Sequence, residues 1–188
     1  MQETDPTSTR RLGEAGIQNL IRQAQDANPE AFGQIYDIYA QQIYRFLFAK
    51  VRHQQTAEDL AHTVFLKAWT NIRSYKPRSS AKFSTWLFQI ANFTLIDYWR
   101  THKTTTDITG IENLAQFAAD GKLYEKYDYL WNAISTLPLD YQTVLDLRFK
   151  QDRTIAETAQ IMKKTQVSVR VLQHRALKAL RGKLNNIL

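Results

Sequence analysis

The sequence predicts an all-α fold: two small helical domains joined by a flexible acidic linker. Three observations carry that expectation. Apolar residues recur at three- and four-residue spacing through most of the chain, and no segment alternates with the period of a strand. Helix-start signals stand where those periodic runs begin. Charge falls into blocks: residues 67–103 carry net +6 and residues 148–188 net +8, with 104–147 between them at net −5 and 1–66 at net −2. The chain of 188 residues has room for two modest cores. The expected boundaries are a partly disordered lead-in over 1–15, a first domain over 16–103, a linker over 104–123 and a second domain over 124–188.

The elements follow in order. The lead-in MQETDPTSTRRLGEAG is polar and lacks the apolar core of a signal peptide. Asn28-Pro29 offers an N-cap followed by proline at the first helical position. Phe32, Ile35, Ile38, Ile43, Phe46 and Leu47 then mark an amphipathic helix. A second helix is expected from Thr56 as N-cap, with Glu58 and Asp59 in its first turn, to about Ile72. Tyr75 to Ala81 reads as a loop, because Pro77 lacks a donor and Ser79 and Ser80 favour turns. A third helix is expected from Ser84 to about Arg100. Residues 104–123 lose the period, except for one short helical turn expected at Ile111–Phe117. Helical spacing returns from Tyr124, broken once at Pro138.

Composition excludes several classes of function. There is no cysteine, so disulfides and thiolate metal sites are excluded and a reducing cytoplasm is the natural setting. The longest apolar runs fall far short of a membrane span, so no membrane insertion is expected. Glu58 and Asp59 are sequence neighbours and do not face each other on a helix. His53, His62, His102 and His174 have no metal-ligand spacing. No glycine loop could cradle a phosphate. The sequence therefore predicts neither an enzyme, nor a metal site, nor a cofactor.

Two motifs remain. Thr154-Ile-Ala-Glu157 is a capping box that opens a short helix. Lys163-Lys164-Thr165 follows as a tight connection, and Thr165 caps a longer basic helix. This is a helix-turn-helix with lysine where such turns usually carry glycine. Entering the major groove by its N-terminal end, the second helix would present Gln166, Ser168 and Arg170 to base edges. Arginine suits guanine and glutamine adenine. Val171 could meet a thymine methyl, His174 and Arg175 a base or a phosphate, and Lys163 and Lys164 the backbone. The other motif lies in residues 65–99, which hold nine of the chain's 22 aromatics. Lys76, Arg78, Lys82 and Arg100 are interleaved with them, a pattern that suits unpaired bases. Phe65, Trp69 and Trp86 fit a core better than a platform. Tyr75 and Phe83 bracket the loop and are the better stacking candidates; the alternative is that Tyr75 packs over the helix ends.

Taken together, Thr56-AEDLAHTVFLKAW with FSTWLFQIANFTLIDYWR, and Leu137-Pro138 with TIAETAQIMKKTQVSVRVLQHRALKALRGKL, resemble regions 2 and 4 of the extracytoplasmic-function class of bacterial sigma factors. The likeness covers roughly residues 28–103 and 127–184. It implies a partner to core RNA polymerase and promoter DNA, with an anti-sigma factor as a further partner. It places Asp59, His62, Thr63, Phe65 and Lys67 on the polymerase clamp. It places the Tyr75–Lys82 loop, with Ile90, Ala91 and Phe93, on a flipped base of the −10 element. The second helix of the C-terminal motif would read the −35 element, and the linker would run through the polymerase near the RNA path. The sequence departs from the family at four places: His62 and Thr63 replace a Gln and an acid, Phe93 replaces an Asn, and Val171-Leu172-Gln173 replaces a small-basic-apolar run. A pocket with Phe93 would read shape and stacking more than hydrogen bonds. Two other functions fit the residues alone: a free-standing helix-turn-helix regulator, and an interaction protein that binds a partner helix.

Overall fold

A computed structural model describes residues 8–77, 82–102, 130 and 132–185. The expected linker, its short helical turn and Arg78 lie outside the described residues. Every regular element among the described residues is helical. They are α1 (Ser8–Gln25), α2 (Pro29–Val51), α3 (Gln54–Asn71), a 3₁₀ turn (Ile72–Ser74), α4 (Phe83–His102), α5 (Leu139–Leu145) continuing into a π-helical turn (Asp146–Lys150), α6 (Ile155–Met162) and α7 (Gln166–Asn185). They form two compact units, one of Met1–Leu47 with Gln55–Thr101 and one of Phe48–Gln54 with His102–Leu188.

In the first unit, α1 is more extensive than its polar sequence suggests. It begins at Ser8, so residues 8–15, expected to be partly disordered, are helical. Gly13 breaks the helix with φ 58° and ψ 169°, a conformation that glycine adopts without steric cost. Beyond the break, Ile17, Leu20, Ile21 and Ala24 lie on one face and are buried. That burial against the other helices, rather than propensity, holds α1 in place. The Gln25 carboxamide donates to the carbonyls of Ile72 (3.0 Å) and Tyr75 (2.7 Å), tying the end of α1 to the chain where it leaves the 3₁₀ turn.

The start of α2 follows the sequence reading. Asn28 Oδ1 accepts from the Ala31 amide at 3.0 Å, the N-cap bond, and Pro29 is the first helical residue. The start of α3 does not. It begins at Gln54, so Thr56 lies inside the helix rather than capping it. Tilted aromatic pairs join α2 to α3, Tyr36 on Phe65 at 4.6 Å and Phe32 on Trp69 at 4.9 Å. Phe46 meets Phe88 of α4 edge-on at 5.3 Å. Phe46, Phe83, Phe88, Leu87 and Leu95 are fully buried at the centre.

In the second unit, Pro138 ends one helical stretch and stands immediately before α5, as its missing donor requires. The Gln142 side chain satisfies the loose carbonyls there, donating to Ser135 (3.0 Å) and Leu137 (2.8 Å). Helix α7 packs across both α5 and α6. It buries Val169, Ala176 and Leu180.

Candidate nucleic-acid interface

The helix-turn-helix is held at three points. The capping box is complete: the Glu157 amide donates to Thr154 Oγ1 at 3.1 Å, and the Thr154 amide donates to Glu157 Oε2 at 2.8 Å. At the other end of α6, Lys163 takes the left-handed conformation, φ 49° and ψ 47°. The Lys164 amide then reaches the Ala159 carbonyl at 2.9 Å, closing a Schellman-type turn. Thr165 caps α7 by accepting from the Ser168 amide at 3.1 Å.

This frame exposes most of the residues expected to meet DNA. Lys163, Gln166, Ser168, Arg170, Val171, His174 and Arg175 are exposed, and all but Lys163 lie on the first three turns of α7. Lys164 is also exposed and forms an ion pair with Asp140 at 3.1 Å. The Ser168 hydroxyl is 2.8 Å from the Thr165 hydroxyl, so the cap engages it locally. Helix α7 carries five Lys/Arg and no acid over its 20 residues. Gln173, on the inner side, accepts from Arg148 Nε at 3.1 Å.

The aromatic cluster of the first unit behaves differently. Tyr75 and Phe83, expected to offer open faces for stacking, are 7 % and 1 % exposed. They meet edge-on at 5.2 Å, and Trp86 closes the group at 5.1 and 5.3 Å. The Gln25 clip holds the Tyr75 backbone carbonyl against α1, and the ring packs inward on Phe83 and Trp86. Burial raises the Tyr75 phenol pKa, with the charge of Glu14 adding to it. Ala91 is fully buried as well, whereas Ile90 and Phe93 are half-buried. Lys76, Lys82 and Arg100 are exposed, with Arg100 3.2 Å from Asp97.

On α3, the outward side bears Asp59 and His62, both exposed, and half-buried Thr63. Phe65 is buried at 4 % exposure under Tyr36, so it faces the core and not a partner. Lys67 turns toward α4, bonding Thr94 Oγ1 at 3.2 Å. The residue the sequence reading passed over is Leu66, 56 % exposed on the same side as Asp59 and His62. The signal was available: Leu66 is out of phase with the buried Ala57, Leu60, Val64 and Ala68.

Residues 35–105 match the family model of Sigma-70 region 2, and residues 133–182 that of Sigma-70, region 4. The ECF RNA polymerase sigma factor SigW of Bacillus subtilis is 31 % identical over 185 residues, covering 91 % of this chain and 98 % of SigW. This chain belongs to the ECF sigma factors. SigX of the same organism is 32 % identical over 81 % of this chain and 82 % of its own length. BldN of Streptomyces coelicolor is 30 % identical over 88 % of this chain, which spans 65 % of BldN.

Two solved structures share the fold. CnrH, in complex with the cytosolic domain of CnrY, has a TM-score of 0.67 at 19 % identity, covering 89 % of this chain and 96 % of that one. RpoE of Bartonella quintana, in complex with the anti-sigma factor NepR, has a TM-score of 0.64 at 18 % identity, covering 82 % and 96 %. The sigma factor described here acts in transcription initiation, with the aromatic cluster and α3 inside its region 2 and the helix-turn-helix inside its region 4. No helix among its described residues is long and apolar enough to cross a membrane.

Proposed function

We propose that this sigma factor binds core RNA polymerase through the outward side of α3, reads the −35 element with α7, and engages the −10 element along α4 and the loop before it. Asp59, His62, Thr63 and Leu66 form the polymerase contact. Lys76, Arg78, Lys82, Ile90, Phe93 and Arg100 serve the −10 element. Gln166, Ser168, Arg170, Val171, His174 and Arg175 face the −35 groove, and Lys163 and Lys164 its backbone. Residues 16–103 and 124–188 act as the two modules on a linker of 104–123. The protein works in the cytoplasm without catalysing a reaction, and an anti-sigma factor is its further partner.

One observation carries the reading: α7 is capped, acid-free and exposed along the side that a major groove requires. A basic face gains from counterion release wherever it meets phosphates. Two small modules on a tether pay ordering entropy when they bind alone, and polymerase would remove that cost by fixing their spacing. The test is a mobility shift and a transcription assay on a promoter library, with and without core polymerase. Specific binding and transcripts only with core enzyme are the expected result. Tight, specific binding by the free chain would instead identify a free-standing regulator.

A further inference from the structure

The outermost line of α7 is apolar at its start. With Val169, Ala176 and Leu180 buried on the inner side, the helical period of about 100° per residue puts Val167, Val171, His174 and Lys178 on the opposite line. Arg170 and Arg175 stand to either side of it. Val167 is 66 % exposed and Val171 44 %. Single exposed valines are ordinary on protein surfaces. Two at i and i+4, on the foremost part of a cationic helix, are not placed as scattered surface residues. Val167 was absent from the residues that the sequence pattern pointed to.

We propose that Val167 and Val171 read thymine 5-methyl groups in the major groove of the −35 element, with Arg170 and Arg175 reaching to its two sides. The occupant follows from charge. Arg170, His174, Arg175, Lys178 and Arg181 are all exposed around the valine pair, so the complementary surface is apolar in the middle and anionic at its edges. A thymine methyl on the groove floor between two phosphate strands has that character. Spacing agrees: side chains at i and i+4 lie about 5–6 Å apart, and successive bases rise about 3.4 Å, so the pair spans one to two base steps. Neither valine has a hydrogen-bonding group, so the preference is for the methyl and not for a donor or acceptor pattern. The inference rests on the assignment of α7 to the −35 element.

The experiment uses the full chain with core polymerase. A −35 sequence is first selected from randomised promoter DNA, and each of its thymines is then replaced by deoxyuridine, which removes the methyl alone. One or two replacements should weaken holoenzyme binding about fourfold each, the size of one buried methyl. The Val167→Ala, Val171→Ala double variant, which removes no core contact, should bind thymine and uracil duplexes equally. Equal binding of both duplexes by the wild-type holoenzyme overturns the inference, as does a full difference that persists in the double variant. Arg170→Ala separates this from failure of the underlying reading. If it weakens −35 binding while uracil is neutral, only the valine assignment falls. If neither change matters, α7 is not the −35 reader.

Discussion

The aromatic cluster of the first unit and helix α7 of the second pose the same question, which side of a helix faces out, and the sequence answers it for only one. Both are rich in cations, and both carry the residue types that suit nucleic acid. In α7 the exposed side is fixed by local signals: Thr154 and Glu157, the left-handed Lys163 and the Thr165 cap set the frame within a dozen residues. In the cluster, Tyr75 is held by partners distant in sequence: its carbonyl by Gln25, 50 residues away, and its ring by Phe83 and Trp86. Residue type says what a side chain can do, whereas capping chemistry says where it points.

The largest effect should come from treating the cluster as core. Phe83→Ala removes a ring that is 1 % exposed and touches Tyr39, Tyr75 and Trp86. It should destabilise the first unit by about 3–5 kcal/mol in urea unfolding. A cost below about 1 kcal/mol would put Phe83 back among the surface platforms and erase the contrast with α7.

The converse holds for α7. Arg170→Ala should leave unfolding unchanged and weaken −35 binding by about 1–3 kcal/mol, measured by competition of specific against random DNA in the holoenzyme. An equal loss on both DNAs would place Arg170 on phosphates. A loss of stability would make it structural, like the aromatics of the first unit.

Two smaller tests address the frame itself. Thr154→Ala removes the cap and half of the capping box, and should lower the stability of the second unit by about 1 kcal/mol. Lys163→Gly relieves a left-handed lysine. It should raise stability by up to about 1 kcal/mol. It should also weaken binding to every DNA sequence alike, seen as a smaller salt dependence. Opposite signs in the melting and binding assays would show that Lys163 serves the phosphate backbone of DNA at the expense of the turn. A fall in stability would mean that the turn does not strain it.

What was legible in the sequence follows the same line. The helix-turn-helix, the Asn28–Pro29 start and the Pro138 break were readable because a cap or a missing donor acts over three or four residues. Helix α1 was missed beneath a polar lead-in, although Ile17, Leu20, Ile21 and Ala24 already had helical spacing. Its purpose was invisible, since the faces it covers lie far along the chain. The inward turn of Tyr75 was not legible, because Pro77 and the serines announce a loop without saying which way the residue before it points. Phe65 and Leu66 show the finer limit: both are apolar neighbours, and the phase set by the buried Leu60, Val64 and Ala68 takes Phe65 inward and leaves Leu66 outside.

The Gln25 clip has a practical consequence for dissecting the molecule. The match to the Sigma-70 region 2 family starts at residue 35, but the carboxamide that fastens Ile72 and Tyr75 sits ten positions upstream. Cloning the first module at the edge of that match would discard the fastening, together with the buried row from Ile17 to Ala24. The two carbonyls would be left to water, and the floor beneath the aromatic ring trio would lose its wall. The edge of a family match is not a boundary of cooperative folding, and an excised fragment of this protein should begin no later than the glycine at position 13.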